Sequence, residues 1–202
     1  ARDTSAWSGS SSFKTQFVSC LPTVAATLPI IEGWENNSGT VLGTANLVCN
    51  PSYTWVLETS LPEGRGRFGV DADDRATGTG AITLDRNPSG AININYLILN
   101  VDMSSYTTNT DLELFFDYRH HGEENHPNDS LWVRGSSSDP WVGIYDLYAN
   151  RSTTFITVGA LDIDAALTAG EPEWNQSGTL FEGIERWSQR KPMLNEADIR
   201  RR

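Results

Sequence analysis

Three observations predict an all-β fold, an antiparallel β-sandwich carrying one short helix. Short runs of apolar, β-branched and aromatic residues recur along the chain, while helical periodicity is scarce. Clusters of turn formers separate the runs at short spacing: Asn36-Asn37-Ser38-Gly39, Pro62-Glu63-Gly64, Asn87-Pro88-Ser89-Gly90 and Ser136-Ser137-Ser138-Asp139-Pro140. With 38% hydrophobic and 10% aromatic residues in a chain of 202, there is material for one sizeable core.

Taken in order, residues 1–20 are Ser/Thr-rich and read as an irregular arm or an edge strand. Residues 21–182 form the sandwich module. Its strands are expected at 28–32, 53–59, 66–70, 80–85, 95–102, 111–118, 130–135, 141–147 and 153–158, each a run such as YTWVLET or LFFDY bounded by turn residues. The one helical stretch is 161–169, LDIDAALTA, opened by Asp162 or Asp164 and closed by Gly170. The tail 183–202 reads as a final strand, a linker or a partly disordered end.

The formal charge of −11 and pI near 4.6 leave no basic face for nucleic acid. From Glu182 onward basic residues outnumber acidic ones six to four, so residues 1–181 carry nine basic against twenty-two acidic side chains. Such a surface suits solubility or cation binding. No run of eighteen apolar residues is present, which excludes a membrane-spanning helix. The start, ARDTSAWSGSSS, reads as a mature or trimmed terminus compatible with export. Scarce Lys and Met beside abundant Thr, Ser, Asn, Gly and Trp give an extracellular composition. Cys20 and Cys49 are the only cysteines and suit one disulfide tying the N-terminal segment to the next strand region. They are too few for a zinc cluster.

The densest chemistry lies in 112–147, where two apolar runs flank the loop His120-His121-Gly122-Glu123-Glu124-Asn125-His126-Pro127-Asn128-Asp129. Zinc peptidases need two His one helical turn apart with a Glu beside them. Here His121, Glu124 and His126 miss that spacing by one residue, and Gly122 and Pro127 disfavour a continuous helix. Calcium is the better metal, because Glu123, Glu124, Asn125 and Asp129 offer oxygen ligands in a turn. The competing reading is a polar loop capped by its own side chains. Asp117 and Arg119, two apart on a strand, share a face and suit structural pairing, with Arg134 as another partner. Asp71-Ala72-Asp73-Asp74 lacks the spacing of a calcium loop and reads as a solvated turn. Among the tryptophans, Trp132 and Trp141 sit in apolar runs and are expected in the core. Trp34 and Trp174, flanked by Glu, Asn and Gln, are the candidates for an exposed glycan-binding face. No nucleophile elbow, phosphate loop or dinucleotide fingerprint occurs.

The stretch from Leu97 to Leu147 resembles a module of secreted and cell-surface proteins of Bacteroidota, itself similar to MAM and concanavalin-A-like jelly rolls. The matching positions are Leu99–Ser104, Phe115–Arg119, Gly122–Asp129, Ser130–Gly135 and Trp141–Leu147. The preceding strands fit through Leu57–Phe68 and Thr79–Asp85, and Asp162-Ile163-Asp164 fits the short helix that follows. At the closing strand only Thr179-Leu180-Phe181 and Ala197-Asp198-Ile199 correspond. The resemblance implies a sandwich of jelly-roll type acting as a non-catalytic appendage of an exported bacterial protein, of the type IX cargo kind. It also makes Glu32 and Asp198 the positions for a structural cation between first and last strands.

The expected function is therefore a non-enzymatic extracellular or cell-surface module for adhesion, protein–protein or glycan contact, or structural spacing. Two other readings stand beside it: a subunit of an extracellular fibre that pairs a terminal arm with a neighbour's sheet, and a hydrolase with its site in the 117–129 loop.

Overall fold

The computed structural model describes residues 20–69, 75–86, 94–106, 112–120, 129–135, 139–164, 179–183 and 192–201, with 86, 179–183 and 192–201 as backbone. Among the described residues the strands are β1 (Ile30–Glu32), β2 (Gly39–Leu42), β3 (Ala45–Cys49), β4 (Tyr53–Thr59), β5 (Gly64–Gly69), β6 (Ala81–Arg86), β7 (Asn95–Val101), β8 (Leu112–His120), β9 (Ser130–Val133), β10 (Val142–Asp146), β11 (Ile156–Asp162), β12 (Thr179–Gly183) and β13 (Pro192–Arg201).

They form two antiparallel sheets. Sheet A has the order β11-β8-β13-β6-β5-β2, with β1 also paired to β13, and sheet B the order β10-β9-β12-β7-β4-β3. Only β3–β4, β5–β6 and β9–β10 are hairpins within one sheet. From β2 onward every other connection crosses from one sheet to the other, which makes this a sandwich of jelly-roll type.

Strand alternation decides what each sheet contributes to the core. On β8, Leu114, Phe116, Tyr118 and His120 are buried, while Phe115, Asp117 and Arg119 between them are half-buried. On β5, Gly66 and Phe68 face inward and Arg65 and Arg67 outward. A Cβ on Gly66 would lie 3.2 Å from Leu57 Cδ2, so a small residue lets the opposite sheet approach. Trp34 wedges between the sheets, fully buried, with its ring 5.1 Å from that of Trp55 and 6.1 Å from that of Phe68. Tyr118 spans the other end, donating its hydroxyl to the Asn150 carbonyl at 2.8 Å. Burial, then the neighbouring Tyr145, pushes that phenol's pKa far up.

β13 is ten residues long and takes two neighbours on one side: β6 at Met193 and Leu194, β1 at Ala197 to Ile199. Of the three readings of the tail, a strand is what forms, and it lies in the interior of sheet A rather than at an edge. The helix expected over 161–169 does not start where the pattern put it. Leu161 and Asp162 belong to β11, carried past a bulge between Val158 and Leu161 in which Ala160 adopts φ 53°. Helical geometry begins only at 163–164, and 165–169 lie outside the described residues.

Candidate functional site

The polar loop after β8 connects the two sheets, since β8 lies in sheet A and β9 in sheet B. Its two ends meet inside the sandwich. His120 Nε2 lies 3.4 Å from Asp129 Oδ2, with both side chains nearly fully buried. The Asp129 carbonyl accepts the amides of Leu147 and Tyr148, and the His120 amide donates to Ser152 at 2.7 Å. The corner is thereby tied to the turn after β10. Glu123, Glu124 and Asn125 lie outside the described residues, as do His121, His126 and 70–74. Asp129, the fourth proposed calcium ligand, is 1% exposed with its carboxylate turned to His120.

Asp117 and Arg119 point away from His120, across the sheet. Asp117 accepts a hydrogen bond from the Thr157 hydroxyl at 2.5 Å, and the Arg119 guanidinium stacks over Phe155 at 5.2 Å. The expected partnership is thus with β11 and its approach, not with Arg134. Buried Asp85 carries the stronger ion pair: Arg65 Nε is 2.5 Å from Oδ1 and Arg67 2.7 Å from Oδ2. Asp164 accepts the Leu112 amide at 2.7 Å and caps the start of β8. Its carboxyl is pushed up, chiefly by burial. These acidic groups each serve the fold.

At the other end of the sandwich, register separates Glu32 and Asp198. Glu32 pairs with Ala197 and Asp198 with Ile31, so the two positions lie on opposite faces of sheet A. Glu32 Oε1 accepts the Trp34 amide at 2.8 Å and its carboxylate bonds Tyr53. Burial raises its pKa above the usual carboxylate range.

The tryptophans exchange their expected places. Trp34, expected on an exposed face, is 0% exposed, because the backbone turns at φ 60° and folds the ring between the sheets. Trp174 lies outside the described residues. Trp132, expected in the core, faces outward: Leu131 and Val133 on either side of it fill the core. Its cross-strand neighbour is Gly143, and a Cβ there would lie 3.4 Å from the indole ring, so the ring lies flat over a bare backbone. Two residues further along, past the Val133–Val142 pair, Arg134 stacks on Trp141 at 4.1 Å. The β9–β10 hairpin therefore presents two half-buried indoles and a guanidinium on the outer side of sheet B. A signal for this was in the sequence. Ser130, Trp132 and Arg134 share one parity, and two polar members mark it as the outward one.

The outer face of sheet B continues as a transverse row. Gly143 pairs with Trp132, Trp132 with Glu182, Glu182 with Ile98, Ile98 with Val56 and Val56 with Asn46. Beside it, Asn100 Nδ2 donates to Thr54 Oγ1 at 3.2 Å. The expected disulfide is present: Cys20 and Cys49 are bonded with Cα atoms 5.9 Å apart.

No protein-family model matches the chain, and no curated protein matches it. Solved structures similar to it include the CBM22-1 xylan-binding domain from Paenibacillus barcinonensis, at 12% identity and TM-score 0.42, covering 85% of this chain and 92% of that one. The family 30 carbohydrate-binding module of a cellulosomal cellulase of Clostridium thermocellum gives 14% and 0.47, covering 86% and 97%. The cleaved adhesin domain of Lys-gingipain gives 9% and 0.40, covering 85% and 98%. At these identities and scores the likeness is one of loose outline.

Proposed function

We propose that the chain is a non-catalytic β-sandwich module of an exported bacterial surface protein, of the MAM-like kind, and that it binds a glycan on the outer side of the β9–β10 hairpin. The observation that carries this reading is the outward Trp132 ring lying over Gly143 beside the Arg134–Trp141 stack. Sugar rings present apolar C–H faces that stack on indoles, with charged and amide groups fixing orientation at the rim. A neutral or acidic glycan suits the guanidinium. The fold does not need an outward indole at 132, so its replacement separates binding from stability.

Trp132→Ala is expected to weaken retention on a glycan array or in affinity electrophoresis about tenfold, about 1.4 kcal/mol, with little change in Tm. Undiminished binding by a variant lacking both Trp132 and Trp141 would refute the assignment. Calcium on Glu123, Glu124, Asn125 and Asp129 remains part of the proposal, with Asp129 Oδ2 also 3.4 Å from His120 Nε2. A Tm raised by calcium and lowered by chelator in wild type, with a smaller response in Asp129→Asn, is the expected result.

A further inference from the structure

A strand at the edge of a sheet leaves half of its backbone donors and acceptors unpaired, and folded proteins blunt such edges with bulges, charges, proline or a covering segment. Most edges of this sandwich are blunted in these ways. β11 breaks register between Val158 and Leu161 and ends in Asp162, and β10 breaks register between Gly143 and Tyr145 and ends in Asp146. β3 breaks register between Asn46 and Val48, and Cys20 is strapped to it by the disulfide to Cys49 and by its amide on Asn46 Oδ1 at 3.3 Å. β1, which pairs only with β13 among the described residues, follows Pro29 and ends in Glu32. β2 has none of these devices. Its register against β5 is unbroken, its sequence is Gly-Thr-Val-Leu, and no charged residue occurs between Glu35 and Glu58. Thr40 and Leu42 are exposed, Leu42 by 65%, and among the described residues no strand pairs with the far side of β2.

We propose that β2 pairs antiparallel with β2 of a second copy of this chain across a two-fold axis, joining the two A sheets into one. Register selects the groups available. The Gly43 amide donates to the Gly64 carbonyl at 2.7 Å, so strict alternation turns the backbone of Gly39 and Val41 to β5 and that of Thr40 and Leu42 to the open side. Setting Thr40 of one copy against Leu42 of the other satisfies both outward amides and both outward carbonyls on each copy, and leaves Val41 facing Val41 on the axis. Val41 is packed on the core but only partly buried, so the pairing covers its remaining surface. Charge selects the occupant. The chain carries −11, and two copies meet with least repulsion where charge is missing. Arg67, opposite Thr40 on β5, shares Asp85 with Arg65 and lies three strand spacings, about 14 Å, from its counterpart across the axis, beyond the screening length at physiological salt. Gly39 and Gly43 take φ 83° and 67° and turn the chain out of the strand at either end. The paired window is therefore short, and the dimer is a weak, concentration-dependent one rather than a permanent one.

Sedimentation velocity on the full chain reads the association. Wild type is expected to shift from one chain towards two as its concentration rises from about 10 µM to about 1 mM. Leu42→Pro removes an outward amide that β5 does not use, and Leu42→Lys puts a charge on the edge, while neither touches the core. Each is expected to lower the association constant at least about tenfold while thermal melting stays cooperative. Thr40→Glu should weaken association by itself, yet a mixture of Thr40→Glu and Leu42→Lys should recover a mixed dimer, because register sets the two substituted positions against each other. A wild type that stays monomeric throughout overturns the proposal and leaves the edge to a strand of another protein. Dimers that persist in both Leu42→Lys and Thr40→Glu overturn it by placing the contact elsewhere. A mixture that associates no better than its parts overturns the register and the proposal with it. Should Leu42→Pro not fold, the two charge variants still decide. The β9–β10 hairpin lies in the other sheet, so loss of glycan binding in Trp132→Ala has no bearing on these readouts and the two proposals fail separately.

Discussion

Asp85 shows how a single residue on the outer face of sheet A holds two cations at once. Its carboxylate is nearly buried while Arg65 and Arg67 keep about a third of their side chains in water. Removing the carboxylate leaves two guanidinium groups facing one site, but each reaches solvent, which lowers the cost of orphaning them. Asp85→Ala is expected to destabilise by about 2–3 kcal/mol in urea unfolding, and Arg65→Ala or Arg67→Ala by about 1 kcal/mol. Equal costs for all three would show the pair to be mere surface charge. Glu32 makes a prediction of opposite kind. Its folded pKa is raised by burial above 4.5, so its favourable contribution is complete below that pH and is lost as pH climbs through the folded value. Glu32→Gln keeps the acceptor for the Trp34 amide and removes the charge. Its Tm should match wild type below pH 4.5 and exceed it near neutral pH, as thermal scans across pH would show. The misplaced tryptophans belong to this scale too. Neighbouring polar residues made Trp34 look exposed, but the left-handed turn that buries it leaves no trace in local composition. Trp132 was readable from parity, since an apolar strand hides its outward member only until Ser130 and Arg134 are counted with it.

At the scale of elements, strands with strong alternation and bounding turns were legible: β4 falls on the expected 53–59, and β6 to β10 within a few residues of their expected bounds. β2 and β3 were not, because both are edge strands, four and five residues long, with weak alternation. A half-exposed edge needs no apolar period, so its sequence carries none. β13 was legible only as one of three readings of the tail, and its inner position was not. Charged residues alternate through it as on a surface strand, and only long-range pairing places it between β8 and β6. The disulfide acts at this scale. It closes a segment with a sequence separation of 29 between the arm and β3, which in the chain-entropy account stabilises by about 3.5 kcal/mol. Cys20→Ser, Cys49→Ser and the double variant should therefore lose the same amount, because each removes one crosslink. A double variant clearly worse than either single one would mean that the thiols contribute by packing instead. Reduction should reproduce the loss in wild type alone.

Across the whole molecule, the order of the chain and the order of the sheet disagree most at β13. The last described strand is an inner strand of sheet A, bound along one side to β8 and along the other to β6 and β1. Ile30 pairs with Ile199, so the first and last described strands close on each other only after all the intervening chain is available. Contacts of such separation must repay a large loop-closure entropy, which makes folding slow and all-or-none at this step. Deleting an edge strand trims a sheet, whereas deleting β13 divides one. Removal of residues 192–202 is accordingly expected to abolish the cooperative thermal transition and the near-UV circular dichroism of the buried tryptophans, not to lower Tm by a few degrees. The same geometry predicts rescue. The slot between β8 on one side and β6 and β1 on the other offers backbone donors and acceptors on both sides, so a synthetic peptide of residues 192–202 should restore the signal with one-to-one stoichiometry. A shortened chain that still melts cooperatively without peptide would remove β13 from the inner position of sheet A. A peptide in which Ala197 is replaced by Asp should fail to rescue, because register puts that position beside Phe116 on the core side of the sheet.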